Sequence, residues 1–149
     1  MKSLFISFTL VTLIIMLFNG CISYYNISAT QLAEQMKREQ KPEATTQIMP
    51  VAPLILSNKY VANNVEKLLC TNSKGDTIWF YPNQNTELEI TTKSGDVITM
   101  YFDTVVLEGT KLSGLRSRLL NLKREVELSE ITKIEIYAES GKTESVHEK

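Results

Sequence analysis

Few side chains in this sequence are suited to nucleophilic or metal chemistry. The 149 residues include two cysteines, Cys21 and Cys70, and one histidine, His147. A structural zinc site needs about four closely spaced ligands, which these three positions do not supply. A Cys-His or Ser-His-Asp arrangement would depend on His147, which lies in a charged stretch at the end of the sequence. A catalytic base has to be held by packing, so we expect neither an enzyme nor a metal site.

Two pairs of carboxylates have a spacing that places both members on one strand face. Glu87 and Glu89, and likewise Glu125 and Glu127, are two positions apart and alternate with apolar residues. Side chains two positions apart in a strand share a face, so each pair lies opposite the apolar side chains. We interpret both pairs as solvated outer faces rather than as acid–base pairs. The phosphate-binding patterns GxxxxGK[ST] and GxGxxG are absent from the sequence.

The charge balance argues against a nucleic-acid partner. Sixteen basic and 17 acidic residues give a formal net charge of −1 at pH 7, whereas nucleic-acid-binding domains concentrate lysine and arginine. The hydrophobic fraction of 43% is sufficient for a packed core and excludes a wholly disordered chain. The apolar residues are unevenly spread, because the stretch from Leu4 to Phe18 contains no charged residue.

The first twenty residues have the order of an export signal. Lys2 supplies a positive charge, the apolar run 4–18 follows, and the residues Asn-Gly-Cys at 19–21 come directly after it. A secretory signal has this order of charge, ~7–15 apolar residues and small residues at the cleavage site. The run is shorter than the ~20 apolar residues that cross a bilayer. We therefore predict that residues 1–20 are removed on export.

The stretch from Leu17 to Cys21, LFNGC, resembles a bacterial lipobox, the processing signal of lipoproteins. Gly20 and Cys21 match the usual pattern, and the two residues before them depart from it, as in the looser lipoboxes of Bacteroidota. The resemblance implies that Cys21 becomes the mature N-terminus and carries diacylglycerol and a fatty acyl group, an anchor of several chains. Cys70 would then be a small buried thiol. The alternative is a plain secreted protein in which Cys21 pairs with Cys70.

Residues 21–63 are predicted to connect the lipidated N-terminus to the folded domain. Ser28 and Gln31 have the spacing of a capping box, and the apolar residues that follow recur at helical spacing, so we expect a short helix that ends by Pro42. Residues 42–58 hold three of the four prolines and no regular pattern, which indicates a linker or an irregular strap. The apolar residues within this segment favour partial packing against the domain.

Residues 64–140 have the pattern of a β domain. Stretches rich in β-branched and aromatic residues, or alternating between polar and apolar, are separated by turn residues such as Gly75 and Gly95. A tight 3₁₀-type turn is expected over 129–132. The run 97–107 has apolar residues at both odd and even positions, and therefore on both faces of a strand, which suits a highly curved sheet or a small barrel. The predicted strands are 77–81, 87–91, 97–107, 125–128 and 133–137.

Residues 114–124 fit two structures. Leu115, Leu119 and Leu122 have helical spacing, but the same stretch also alternates as a strand does, and Gly114 would weaken a helix. We expect a strand to about Ser117, followed by a loop that carries the basic residues Arg118, Lys123 and Arg124. A helix of one or two turns is the alternative. The charged residues 141–149 are predicted to form a disordered tail.

This order of elements resembles the small SH3-like or Sm-like barrels. Several pieces also look like uncharacterised outer-membrane lipoproteins of Bacteroidota, among them 78–82 (IWFYP), 101–105 (YFDTV) and 114–118 (GLRSR). The match covers most of residues 60–140 and includes no motif of known chemistry. It implies a mainly β fold, either a small curved antiparallel sheet or a barrel of this type, with a short N-terminal helix.

Two groups of side chains are candidates for contact with a partner. The densest basic group could bind lipid headgroups, lipopolysaccharide phosphates or an acidic protein, with a solvated loop as the alternative. An aromatic group could form a platform for a peptide or glycan, with core packing as the alternative. The basic group is Arg116, Arg118, Lys123 and Arg124, and the aromatic group is Trp79, Phe80, Tyr81 and Tyr101.

The sequence as a whole predicts a non-enzymatic cell-envelope lipoprotein. Its β domain would be an interaction module for a protein partner or an envelope component. Residues 22–33 carry no charge, which favours the periplasmic face of the outer membrane. A surface glycan- or peptide-binding lipoprotein and a small periplasmic hydrolase are the alternatives. Apart from the lipid on Cys21 we expect no cofactor, and we expect no metal and no nucleic acid.

Overall fold

The structure, a computed structural model, describes residues 23–51, 54–138 and 141–146. The predicted signal peptide, Cys21 and His147 lie outside these ranges. The described residues form mainly β-strands with one short N-terminal helix, which confirms the predicted fold class. The elements are β1 Ser23–Asn26, α1 Ala29–Glu39, β2 Glu43–Val51, β3 Leu54–Ala62, β4 Leu68–Asn72, β5 Thr77–Tyr81, β6 Glu87–Thr92, β7 Val97–Tyr101, β8 Val106–Glu108, β9 Lys111–Ser117, β10 Leu122–Glu127, β11 Ile131–Ala138 and β12 Lys142–Ser145.

The main sheet has seven strands in the order β12-β5-β4-β1-β11-β6-β7, and each neighbouring pair is antiparallel. Strand alternation directs one face of each strand into the core, as with Leu88 and Ile90 of β6 and Ile134 and Ile136 of β11, all fully buried. The edge strands β12 and β7 do not pair with each other, so the sheet is open within the described residues. Of the two predicted forms, the structure has the open sheet rather than the barrel.

Two smaller sheets accompany the main one. Strands β10-β9-β8 form a three-stranded sheet, and β2-β3 form a two-stranded hairpin. The predicted long strand 97–107 divides between sheets, because β7 ends at Tyr101, a 3₁₀ turn spans Phe102–Thr104, and β8 continues in the three-stranded sheet. The single-strand prediction was wrong. The corner explains why both parities of this run are apolar, since the chain changes direction around Phe102 and Val105, which are both buried.

Helix α1 is part of the core rather than of a tether. Its N-terminus has the predicted capping box, in which Ser28 accepts from the backbone of Gln31 and the Gln31 side chain accepts from the backbone of Ser28. Leu32 and Met36 are fully buried in the same core as the main sheet. No helix within the described ranges has the length and apolarity needed to cross a bilayer.

Two glutamine side chains attach α1 to both larger sheets. The Gln35 amide donates to the carbonyl of Leu69 at 3.0 Å and accepts from its N–H at 2.6 Å. Gln40, at the end of the helix, makes the same two bonds with Leu107, both at 3.0 Å. Each amide thus replaces a strand partner for one residue of β4 or β8. These bonds satisfy the backbone N–H and C=O groups of Leu69 and Leu107, which would otherwise be buried without a hydrogen-bond partner.

The segment predicted as a linker, residues 42–58, instead belongs largely to the β2–β3 hairpin, so that prediction was wrong. The two strands pair in register from Glu43 with Ala62 to Val51 with Leu54. The buried Asn63 fixes the base of the hairpin, because its side chain donates to the carbonyls of Phe102 and Val105 at 2.6 and 2.9 Å. Pro50 is tolerated in β2 because a two-stranded sheet has unpaired edges.

Four further predictions can be compared with the chain after residue 110. The strand predicted to Ser117 is confirmed, and the alternative helix does not form. Lys123 and Arg124 lie on β10 rather than in a loop, so their predicted location was wrong. The tail prediction was wrong for residues 142–145, which form β12 and pair with β5. The tight turn is confirmed as a 3₁₀ turn over Leu128–Glu130.

Replacing Gln35 with alanine tests the attachment of α1. The change leaves the N–H and C=O of Leu69 without partners, and we expect a loss of about 2 kcal/mol in the free energy of unfolding. Urea titration followed by circular dichroism measures it. The matched control is Glu34→Ala, which alters an exposed position on the same helix and should change stability by less than about 0.5 kcal/mol. Equal effects of the two changes would contradict the proposed role of Gln35.

Candidate functional site

A cleft of about 420 Å³ lies between the β2–β3 hairpin and the three-stranded sheet. Tyr60 and Val61 of β3 line one side, and Ser113 and Leu115 of β9 line the other. Leu107 of β8 adds a further apolar surface. Small-molecule and side-chain pockets typically have volumes of ~300–1,000 Å³, mostly apolar walls and a few polar groups. The cleft fits this description and is named the hairpin cleft below.

One of the two charged residues that line the hairpin cleft, Lys123, is held in an ion pair; the other is Glu108. Lys123 lines the cleft, and its Nζ lies 2.8 Å from Oε1 of Glu125. The hydrogen bond to Glu125 raises the pKa of Lys123, and the same contact lowers the pKa of Glu125. Both groups therefore stay ionised at neutral pH. The arrangement suits recognition of an apolar group flanked by a polar one.

A polar cluster behind the hairpin cleft fixes the hairpin to the domain. Nη2 of Arg118 lies 2.5 Å from Oδ1 of Asp103 and donates to the carbonyl of Gln84 at 2.6 Å. The Tyr60 hydroxyl donates to the other oxygen of Asp103 at 3.0 Å. Burial, followed by the charge of Asp103, raises the pKa of Tyr60, so its hydroxyl stays protonated. The Arg118 guanidinium also stacks 3.9 Å from the centre of the Tyr101 ring.

This cluster contains polar atoms that lack a partner. Oε1 of Gln47 and Nε of Arg118 are buried and have no hydrogen-bond partner among the described residues. The neighbouring Asn58 is well bonded, since it donates to the carbonyl of Arg118 and, at 2.8 Å, to that of Leu119. Buried polar atoms without partners are uncommon in folded proteins. They distinguish this region from the fully bonded glutamine contacts of α1.

The four predicted basic residues do not form one surface. Arg118 is only 8% exposed, so the structure places it in the polar cluster rather than on an exposed loop. Arg116 and Arg124 are exposed on β9 and β10, and Lys123 lines the hairpin cleft. The expected basic patch is therefore reduced to two free-standing arginines and one paired lysine. Periodicity alone gives no signal for the burial of Arg118.

The predicted aromatic platform is also divided. Trp79 and Tyr81 lie half-buried on the outer face of β5, where Lys67 lies 4.3 Å from the Trp79 ring centre and Lys142 lies 4.9 Å from that of Tyr81. Tyr81 donates to Glu144 of β12, and this bond raises the pKa of Tyr81. Phe80 is fully buried, and Tyr101 lies on the opposite edge strand beside Arg118. Only Trp79 and Tyr81 remain together as an exposed pair.

Other chemistry-bearing groups occupy structural positions. Cys70 is a free thiol in the core, and burial raises its pKa to about 12, so the expected buried thiol is confirmed. Glu125 and Glu127 both bind Lys111 on the outer face of the three-stranded sheet. Within the described ranges, no group of three or more His, Cys, Asp or Glu side chains is placed to hold a metal ion.

Sequence reasoning missed Tyr60, Asn58 and Asp103. The first two lie in or beside the segment predicted as a linker, and Asp103 lies within the predicted long strand. Their roles depend on contacts across 43 to 61 positions of sequence. Such contacts have no local pattern. The only available signal was the uncharged, apolar character of the segment around residues 44–58.

Replacing Arg118 with methionine tests the polar cluster. The substitution leaves the Asp103 carboxylate partly buried without its cation, and we expect a loss of about 3 kcal/mol in unfolding free energy. Arg116→Met, two positions away and exposed, is the matched control and should change stability by less than about 0.5 kcal/mol. The pair Arg118→Met with Asp103→Asn should cost less than the sum of the single changes. Additive effects in this double-mutant cycle would show that the two groups are not coupled.

The candidate binding surfaces are ranked by their geometry. The hairpin cleft and the Trp79–Tyr81 pair are two candidate binding surfaces. The walls of the cleft come from four strands of two different sheets. No protein-family model, curated protein or solved structure matches the chain.

Proposed function

We propose that this chain is a non-enzymatic cell-envelope lipoprotein, anchored through Cys21, whose β domain is an interaction module. The anchor is supported by the sequence, which has an apolar run followed by Gly20 and Cys21. The first strand begins at Ser23, only two residues after Cys21. In this proposal the lipid anchor is joined almost directly to the main sheet, and the expected tether of some forty residues is replaced by folded domain.

The observation that carries the interaction role is the hairpin cleft. Its walls are largely apolar, and two charged residues line it, Glu108 and Lys123. Lys123 is paired with Glu125. An apolar centre with a polar rim is the usual arrangement of a protein interface. We propose a protein partner or an envelope component as the ligand, at the periplasmic face of the outer membrane.

A second candidate function is glycan or peptide binding at the Trp79–Tyr81 pair. The observation in its favour is that two adjacent aromatic side chains remain half-exposed on a flat strand face, with Lys67 and Lys142 beside them. Aromatic rings with a polar neighbour are enriched at binding surfaces. The lysines already cover part of each ring, which makes this surface the weaker candidate.

The two cysteines provide a matched test of the anchor. In cells given a labelled fatty acid, we expect the wild-type chain and Cys70→Ala to incorporate the label, and Cys21→Ser to incorporate none. Cys21→Ser should also keep residues 1–20, because the lipoprotein peptidase cleaves before the modified cysteine. Labelling is measured on gels and the mass of the mature N-terminus by mass spectrometry. Unchanged labelling and processing of Cys21→Ser would refute the lipoprotein assignment.

Photo-crosslinking in the intact envelope tests the interaction role. A photoreactive phenylalanine analogue is placed at Val61 in the hairpin cleft, at Trp79, or at Val97, which is exposed on β7 away from both surfaces. We expect one discrete adduct from position 61 and none from position 97. An adduct from position 79 alone would favour the glycan- or peptide-binding alternative. Equal yields from positions 61 and 97 would contradict a specific site in the cleft.

A further inference from the structure

Exposed apolar side chains are concentrated at one place in the described structure. Of the eight large apolar side chains that are exposed, five lie on the hairpin or at the neighbouring turn between β9 and β10, and one of these five, Val61, lines the hairpin cleft. Ile48 is 67% exposed, and Leu120 is 66% exposed. Leu119 and Leu122, on either side of the turn, are 44% and 40% exposed. These four side chains are named the apolar edge.

The sequence of the hairpin stays apolar beyond Ile48. From position 44 to position 58 the sequence has no charged residue, and the strand positions 49–51 and 54–56 all carry apolar residue types. A strand with one wet face alternates between polar and apolar residues, and this alternation is missing here. Within the described residues, the hairpin pairs only with itself. A segment of this composition favours an apolar environment.

A side-chain contact joins the two parts of the apolar edge. Asn58 pairs with Gln47, the position before Ile48, and its amide binds the carbonyls of Arg118 and Leu119 at the start of the β9–β10 turn. The turn between β9 and β10 that carries Leu119 and Leu120, named the leucine turn below, therefore lies beside the residues at which the apolar part of the hairpin begins. Because the amide bonds are to backbone carbonyls, they hold the turn itself in place.

Positive charge lies close to the apolar edge. Arg116 and Arg124 are exposed on the strands that flank the leucine turn, and neither has a carboxylate partner among the described residues. Lys59 is exposed on β3 next to Asn58. Lys123 is nearby but is bound to Glu125. An exposed apolar group with arginines around it is complementary to a membrane surface that carries anionic lipid headgroups.

The apolar edge lies at the same end of the main sheet as the start of the chain's first strand. Tyr24 of β1, Tyr137, Glu87 and Tyr101 form one cross-strand row. The row spans three strand spacings, or about 14 Å. Arg118 stacks on Tyr101, and the leucine turn follows directly from Arg118. A lipid on Cys21 would hold this end of the sheet against the bilayer, and this step alone rests on the proposed function.

We propose that the apolar edge docks onto an anionic lipid bilayer, with Leu119, Leu120 and Ile48 in the interfacial layer and Arg116 and Arg124 against the headgroups. A protein groove or a second copy of the chain is a poorer fit. Anionic lipid headgroups complement Arg116 and Arg124, which are exposed beside the leucines and have no carboxylate partner among the described residues. The docking would add a second contact to the single anchoring cysteine, and it would fix the direction in which the hairpin cleft opens.

Depth-dependent fluorescence quenching tests the proposal on the full mature chain, purified from membranes and reconstituted into vesicles. Trp79 is the only tryptophan, so Trp79→Phe provides a silent background. Into it we place Leu120→Trp or, as the matched control, Val97→Trp, which is exposed on β7 outside the apolar edge. The vesicles contain phosphatidylglycerol and phosphatidylcholine with brominated acyl chains. Both changes are at exposed positions, and circular dichroism checks that the fold is kept.

We expect the L120W indole to be blue-shifted and quenched by the brominated lipid, and the V97W indole to be neither. An exposed basic residue near an anionic surface contributes about fivefold to binding, so Arg116→Gln with Arg124→Gln should shift the docking equilibrium roughly 25-fold toward the undocked state. Quenching in the L120W protein should fall accordingly. It should also fall in vesicles of phosphatidylcholine alone.

Equal quenching at positions 120 and 97 would overturn the docking proposal. A blue shift of the L120W indole that grows with protein concentration but is not quenched by the brominated lipid would also overturn it. Such a result would show that the apolar edge contacts a second copy of the chain. The mass of the purified chain shows independently whether Cys21 is acylated. Quenching without acylation would leave docking standing and remove the lipoprotein assignment, and acylation without quenching would do the reverse.

Discussion

The rest of the structure depends on the bonds between two glutamine side chains of α1 and the backbone of two different sheets. Gln35 pairs with Leu69 of the main sheet, and Gln40 pairs with Leu107 of the three-stranded sheet. A primary amide has a donor and an acceptor side by side, so it can replace a neighbouring strand for one residue. Five helix positions separate the two amides. One turn and a half of helix therefore sets the spacing between the two sheets.

The position of the hairpin follows from that spacing. The chain leaves α1 at Gln40, forms the hairpin and returns at Asn63, whose side chain binds the 3₁₀ turn that links the two sheets. Tyr60 and Arg118 then meet at Asp103 of the same turn. A buried ion pair adds little net stability, because desolvation offsets much of its attraction. Its effect here is geometric, since it holds β3 at the distance that opens the hairpin cleft.

Local patterns predicted the parts of the fold that depend on neighbours in sequence. The capping box at Ser28, the 3₁₀ turn at Leu128 and the strand to Ser117 all follow from residues within a few positions. The hairpin, β12 and the burial of Arg118 depend on distant partners. The prolines indicated a linker or strap, and the charges indicated a loop at Arg118 and a disordered tail. Local composition carries no information about which strand edge or carboxylate will be adjacent. The candidate site was missed for the same reason, since Tyr60 and Asp103 are 43 positions apart.

The proposed attachments of this chain would reinforce each other through effective concentration. A hydrophobic edge of a few leucines binds lipid weakly by itself. If Cys21 holds one end of the sheet at the bilayer, docking of the edge becomes an intramolecular step, and the separation of one residue between Cys21 and Ser23 keeps the local lipid concentration high. The short connection also limits rotation, because β1 is paired on both sides. The lipid anchor, the rigid main sheet and the arginine-flanked apolar edge would then act as one unit, and the orientation of the hairpin cleft at the membrane would follow from covalent geometry and not from a partner.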